Sequence, residues 1–119
     1  MHYALLMYED DTNFAKRTDP EAAEAYWAGW TAYSNAVAEA GIMVSGAGLE
    51  VPATATAVRL VDGEHRVQDG PYADAKEHLG GLFVIDVPDL DAALAWASRA
   101  PSADYGTVEV RPLLPPPAG

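Results

Sequence analysis

The residues best equipped for chemistry lie in one stretch, Asp69-Gly70-Pro71-Tyr72-Ala73-Asp74-Ala75-Lys76-Glu77-His78-Leu79-Gly80-Gly81. An aspartate ahead of Gly-Pro has two readings. Its carboxylate can hydrogen-bond the backbone that follows and set the turn. It can also act as a general base, provided desolvation lifts it from the ~3.9 of a solvated Asp, which is too acidic to take protons at neutral pH. In the second reading Tyr72 donates from its hydroxyl and Lys76 holds an anionic group of the substrate. A solvated charged turn is the plainer account of Lys76, Glu77 and His78. Gly70 lets the backbone turn and Pro71 stiffens the exit.

Two further constellations flank this loop. Asp62-Gly63 reads as a two-residue hairpin turn, which sets Val61 opposite Glu64, Leu60 opposite His65 and Arg59 opposite Arg66. Two arginines directly opposite repel by ~0.5 kcal/mol and call for a neighbouring carboxylate or a bound anion. His65 and Asp69 then share an apolar face with Val58, Leu60 and Val67. They stand about 13 Å apart by strand rise, room for a substrate between them. In the last strand Thr107, Glu109 and Arg111 share one face. A Glu109–Arg111 ion pair there would fix a pocket wall, and Arg111 is a second candidate for holding an anion.

Other chemistries find no support. His2, His65 and His78 lack metal-ligand spacing, and Asp10-Asp11-Thr12-Asn13 has no calcium-loop pattern. Gly46-Ala47-Gly48 opens no helix, and Ser45 sits in no nucleophile elbow. No metal and no cofactor are expected. Seven Lys+Arg against 18 Asp+Glu give a net charge of −11, which argues against nucleic acid and against anionic membranes. The absence of cysteine excludes disulfides, thiolate zinc sites and a Cys nucleophile, and fits a reducing compartment. The start lacks a basic n-region and no run approaches the ~20 apolar residues of a membrane helix. The expectation is a cytoplasmic protein.

These residues need a scaffold, and 119 residues make one domain, expected over 1–112 with a loose proline-rich tail over 113–119. Residues 2–8 and 82–87 read as strands apolar on both faces, the pattern of central strands. Thr18-Asp19-Pro20-Glu21 signals a helix start, with Gly41 as its stop. Its stripe Tyr26, Trp30, Tyr33, Val37, Ala40 reads as core covering a sheet. Strands are expected over 42–49, 53–61, 64–68 and 107–111. A second helix from Pro88-Asp89 places Leu90, Ala93, Leu94 and Ala97 on one side and ends before Pro101. This order is the α+β, ferredoxin-like split βαβ pattern, with a largely antiparallel sheet and an added β-hairpin. Two helices cover only one face of such a sheet, so the greasy second face predicts a two-fold homodimer with function in the space between the sheets.

Asp69-Gly70-Pro71, Lys76-Glu77, Gly80-Gly81 and Val108-Glu109-Val110-Arg111-Pro112, in that order, resemble the YCII-related family and in particular its DGPF branch. Tyr72 stands where the branch usually has Phe, and Asp74 where it often has Glu. The resemblance implies a ferredoxin-like fold that dimerises into an α/β barrel. It also implies an active site built on a carboxylate, sometimes paired with a histidine of the first helix. Residues 19–41 contain no histidine, so that pair does not carry over. The function implied is a cofactor-free acid/base enzyme, of isomerase or lyase type, acting on a small polar or anionic organic molecule in a dimer-interface pocket. The alternative is a non-catalytic ligand-binding or regulatory partner linked to sigma-factor regulation.

Overall fold

A computed structural model describes residues 1–115 of the chain. Strand β1, His2–Asp10, is followed by the short helix α1, Asp11–Ala15, and the long helix α2, Ala23–Glu39. Strand β2, Met43–Gly48, leads through a 3-10 turn, Pro52–Thr54, to the hairpin strands β3, Thr56–Val61, and β4, Glu64–Asp69. Then come β5, Glu77–Asp86, α3, Leu90–Ala97, α4, Ser102–Tyr105, and β6, Thr107–Pro112.

Four strands form one antiparallel sheet in the order β2-β5-β1-β6, and β3 and β4 form a separate ribbon. The two strands patterned as apolar on both faces do pair at the centre, Leu5 opposite Phe83 and Tyr3 opposite Ile85. The hairpin also has its expected register, with Leu60 opposite His65 and Arg59 opposite Arg66. Asp62 and Gly63 both take positive φ, 52° and 80°, as a tight two-residue turn requires.

Strand alternation sends Tyr3, Leu5 and Met7 toward the helices, where they pack with Tyr33 and Val37 of α2 and with Ala93 and Ala97 of α3. Leu5, Ile85 and Val37 are wholly buried, each side chain contributing about 1.5–3 kcal/mol by leaving water. The opposite phase, Ala4, Leu6, Tyr8, Leu82 and Val84, stays half-buried on the face that the helices leave open. Register adds Thr107, Glu109 and Arg111 to that open face.

Several boundaries differ from the sequence expectation. Helix α2 starts at Ala23, because Asp19 closes a turn of its own: its carbonyl takes the N–H of Ala22 and Ala23, and its carboxylate that of Glu21. Ala40 of the expected stripe is exposed, as are Leu90 and Leu94 of α3. Strand β1 extends to Asp10, and the acidic stretch after it contains α1, whose five residues are too few to show a helical period. Strand β5 begins at Glu77, so Glu77 and His78 belong to the sheet and not to a charged turn. At the far end, the Leu113 N–H still donates to the His2 carbonyl (2.9 Å). The last part of the expected loose tail, 116–119, lies outside the described residues.

Candidate functional site

The alternation that buries Tyr3, Leu5 and Met7 carries one more residue to the helix side. Glu9 is only 2% exposed. Its neighbour Asp10 ends the strand and caps α1, accepting from the Asn13 backbone N–H (2.9 Å) and side-chain amide (2.8 Å). These two bonds hold the Asp10 carboxyl below its ordinary value of 3.8, the backbone bond first. The turn so fixed swings Phe14 and Arg17 back over the end of the sheet.

Arg17 is the clamp of the cluster. Its Nε donates to the Tyr26 hydroxyl (3.1 Å), its Nη2 to the Gly80 carbonyl (3.2 Å) and its Nη1 to the Leu49 carbonyl (2.5 Å). Nη2 also lies 3.5 Å from Glu9 Oε1. The rings of Phe14 and Trp27 lie 4.9 Å and 5.4 Å from the guanidinium carbon. This approach depends on the Gly-Gly pair. The β1–β5 register skips at Gly80, and a Cβ there would meet the Phe14 ring at 3.0 Å and Arg17 Nη2 at 3.1 Å. A Cβ on Gly81 would stand 3.0 Å from the Ala47 carbonyl.

The Tyr26 hydroxyl donates to Glu9 Oε1 in a short bond. Burial and then this bond to Glu9 push the Tyr26 hydroxyl above its ordinary value, with Arg17 opposing. Tyr26 therefore keeps its proton, and the carboxylate is the acceptor. Tyr105 of α4 is also raised, by burial first and by the Glu9 charge second, and its oxygen accepts from Trp30 Nε1 (3.1 Å). Gly106 lets the end of α4 lie close against β1, since a Cβ there would collide with the Tyr8 carbonyl. Among the described residues the remaining oxygen of Glu9, Oε2, is buried and has no partner at hydrogen-bond distance, while the Tyr105 hydroxyl lies near enough to the carboxylate for a weaker bond to Glu9 to add to its upward shift.

Glu9, Arg17 and Tyr26 line the inner part of an open cleft of about 890 Å³ between α2 and the sheet. Trp27, Trp30 and Phe83 line it too, together with the backbone of Gly46, Gly48, Gly80 and Gly81. One oxygen of the carboxylate is pinned and the other is unpartnered but closed off from solvent, so a donor group that reaches it must part the side chains at the cleft wall, and there it can be bound or give up a proton.

The residues singled out from sequence fall elsewhere, apart from the glycine pair. Asp69 ends β4, exposed, on the same hairpin face as His65, Val58, Leu60 and Val67, which are exposed as well. Gly70 has φ 91°, and its N–H donates to the Ala55 carbonyl (2.6 Å). Lys76 is exposed, and so is Tyr72, whose ring lies 5.2 Å from the Arg59 guanidinium. Pro71, Tyr72, Glu77 and His78 do come together, around a smaller groove of about 480 Å³ over Tyr8 and Leu79. Glu77 lies opposite Asp10 there, with its Oε1 buried and unpartnered. Glu109 and Arg111 approach to 3.9 Å as an exposed pair on the open face. Asp69, Lys76, His65, Glu109 and Arg111 line neither depression.

Sequence reasoning missed Glu9, Arg17 and Tyr105, and took Tyr26 for core alone. One signal was available: Glu9 occupies the buried phase of the run Tyr3, Leu5, Met7, where a charge is costly unless it is used or paired. Among the described residues, no group of three His, Asp or Glu is placed to hold a metal ion, and no helix is long and apolar enough to cross a membrane.

Comparison with known proteins agrees with the fold. Residues 1–116 match the family described as the YCII-related domain. An uncharacterized protein of Rhizobium meliloti (strain 1021) is 39% identical over 116 residues, which is 95% of this chain and 92% of that relative. With the family matched over nearly its whole length and an antiparallel α+β sheet carrying the Gly-Gly pair into the cleft, the chain belongs to the YCII-related domain family.

Proposed function

We propose that the chain binds a small organic molecule in the cleft between α2 and the sheet and moves a proton on it, with Glu9 as base and Tyr26 as the donor that fixes the carboxylate. One observation carries the reading: the buried, unpartnered Oε2 of Glu9 in a residue that lines an open cleft. Leaving such an atom unpaired costs about 1–3 kcal/mol, which a ligand donor would recover. With Oε1 held by Tyr26 and Arg17, an incoming proton goes to Oε2. Returned to another atom of the same ligand, it completes an isomerisation; passed to the departing leaving group, or released to water after that group leaves with the bonding pair, it completes an elimination and restores the carboxylate. Neither needs a cofactor.

A thermal-shift screen of small organic compounds, followed by turnover assays on the hits, tests this. Hits should stabilise the wild-type protein and lose most of that effect in Glu9→Gln, and turnover should fall at least a hundredfold in that variant. Hits that bind and react equally well in Glu9→Gln refute the assignment. Binding with no turnover in either protein would favour the non-catalytic, regulatory alternative.

A second reading rests on the half-buried strip Ala4, Leu6, Tyr8, Leu82 and Val84, which no helix covers among the described residues. Two copies joined by these faces would enclose Glu109, Arg111 and the smaller groove beside Tyr72 and Glu77. Asp69 would then act as base at the rim, with Tyr72 as donor and Lys76 or Arg111 holding an anion. Asp69→Asn preserves most turn hydrogen bonding. A folded Asp69→Asn protein with normal turnover of an identified substrate leaves Asp69 a turn residue.

A further inference from the structure

We infer that the cleft selects a flat ligand bearing N–H donors and a positive charge, of the amidine or amino-heteroaromatic kind, and rejects organic anions. This deepens, and rests on, the reading of the cleft as the ligand site. The cation that might have held an anion there is already committed. Arg17 spends its donors on Tyr26, Leu49, Gly80 and Glu9, and the Phe14 and Trp27 rings lie against it. The other charged residues of the cleft lining are Glu9 and Glu50, so the lining as a whole carries a net negative charge, within a chain of net charge −11. An anion entering would meet unfavourable potential and no free donor fork.

What the cleft does offer is an acceptor and flat surfaces. Glu9 Oε2 has no partner among the described residues, and a carboxylate oxygen accepts from N–H donors. Trp27 is 46% exposed, yet its Nε1 donates to the Arg17 carbonyl (3.1 Å), which fixes the ring at the lip. Trp30 is fixed by its bond to Tyr105. Indole faces attract cations and stack on planar groups. The same lining includes bare glycine backbone, and a Cβ on Gly48 would meet nothing within 4 Å. A lining that combines side-chain-free backbone with indole rings admits a flat group.

Benzamidine, benzamide and benzoate share size and shape and differ in charge, so they separate the terms. The probe is the indole N–H signals of Trp27 and Trp30 in the full chain, with Trp96, which lines neither depression, as internal control. Benzamidine should shift Trp27 and Trp30 and bind at least tenfold more tightly than benzoate, with benzamide between them. In Glu9→Gln the margin of benzamidine over benzamide should close. Gly48→Val, which places a side chain into open space and leaves the fold intact, should weaken all binding in the cleft tenfold or more. Benzoate or benzamide binding as tightly as benzamidine, lost in Gly48→Val, overturns the ligand class while the cleft remains the site. Benzamidine retaining its margin in Glu9→Gln overturns the role of that carboxylate in selectivity. Binding indifferent to Gly48→Val, or no binding of any of the three at millimolar concentration, overturns both the class and the site.

Discussion

Glu9 shows how one side chain can be both a liability and a site. A buried carboxylate is tolerated only if its oxygens are hydrogen-bonded, and here one oxygen is served by Tyr26 and Arg17 while the other is not. Tyr26→Phe removes the donor to Oε1 and leaves Arg17 as its remaining partner. It should lower unfolding free energy by about 1–3 kcal/mol in urea titration; an unchanged midpoint would mean that the bond does not hold the carboxylate. Tyr33 gives a pH prediction. Burial pushes its hydroxyl up to about 12, from an ordinary value of 10.0. The folded state therefore keeps a proton that the unfolded chain releases. The stability tied to Tyr33 is complete below pH 10 and is lost as pH rises toward 12. Urea midpoints across that window should fall less steeply in Tyr33→Phe than in the wild type.

At the scale of elements, the Gly80–Gly81 step of β5 connects the sheet to the site. It absorbs the register skip against β1 and leaves room for Phe14 and Arg17 to cross the strand. Gly80→Ala forces a contact of 3.0 Å on the Phe14 ring. Overpacking of this kind costs about 1–3 kcal/mol, and it should displace Arg17 from Leu49 and Gly80. A stability loss accompanied by altered Trp27 fluorescence is the expected result, since Trp27 bonds the Arg17 carbonyl. A stability loss with Trp27 unmoved would separate the glycine from the clamp.

At the scale of the whole molecule, the helices cover one face of the sheet and leave an apolar strip on the other. The proposed homodimer predicts a particle of about twice the chain mass of 12.6 kDa by light scattering at micromolar concentration. Leu82→Asp, at the centre of the strip, should return it to the single-chain mass. A wild-type mass equal to one chain would refute the arrangement and, with it, the reading of the smaller groove as an interface pocket.

Elements whose signal is local are legible in the order of the amino acids. Double-sided apolar runs named the central strands, Asp62-Gly63 set the hairpin register, and the Tyr26–Val37 spacing marked the helix that covers the sheet. Periodicity and turn chemistry depend on neighbours within a few residues, so they can be read along the chain. The candidate site could not be read in this way, because its members stand at positions 9, 17, 26, 80 and 105 and meet only once the strands are paired. The β1–β6 register, Tyr8 opposite Thr107, brings Tyr105 beside Glu9, and the β1–β5 skip brings Gly80 beneath Arg17. Residue types and motif spacing favoured the loop from Asp69 to Lys76, which the fold leaves at the surface. A carboxylate becomes unusual through what surrounds it, and those surroundings are supplied by strand register and packing, which no local pattern records.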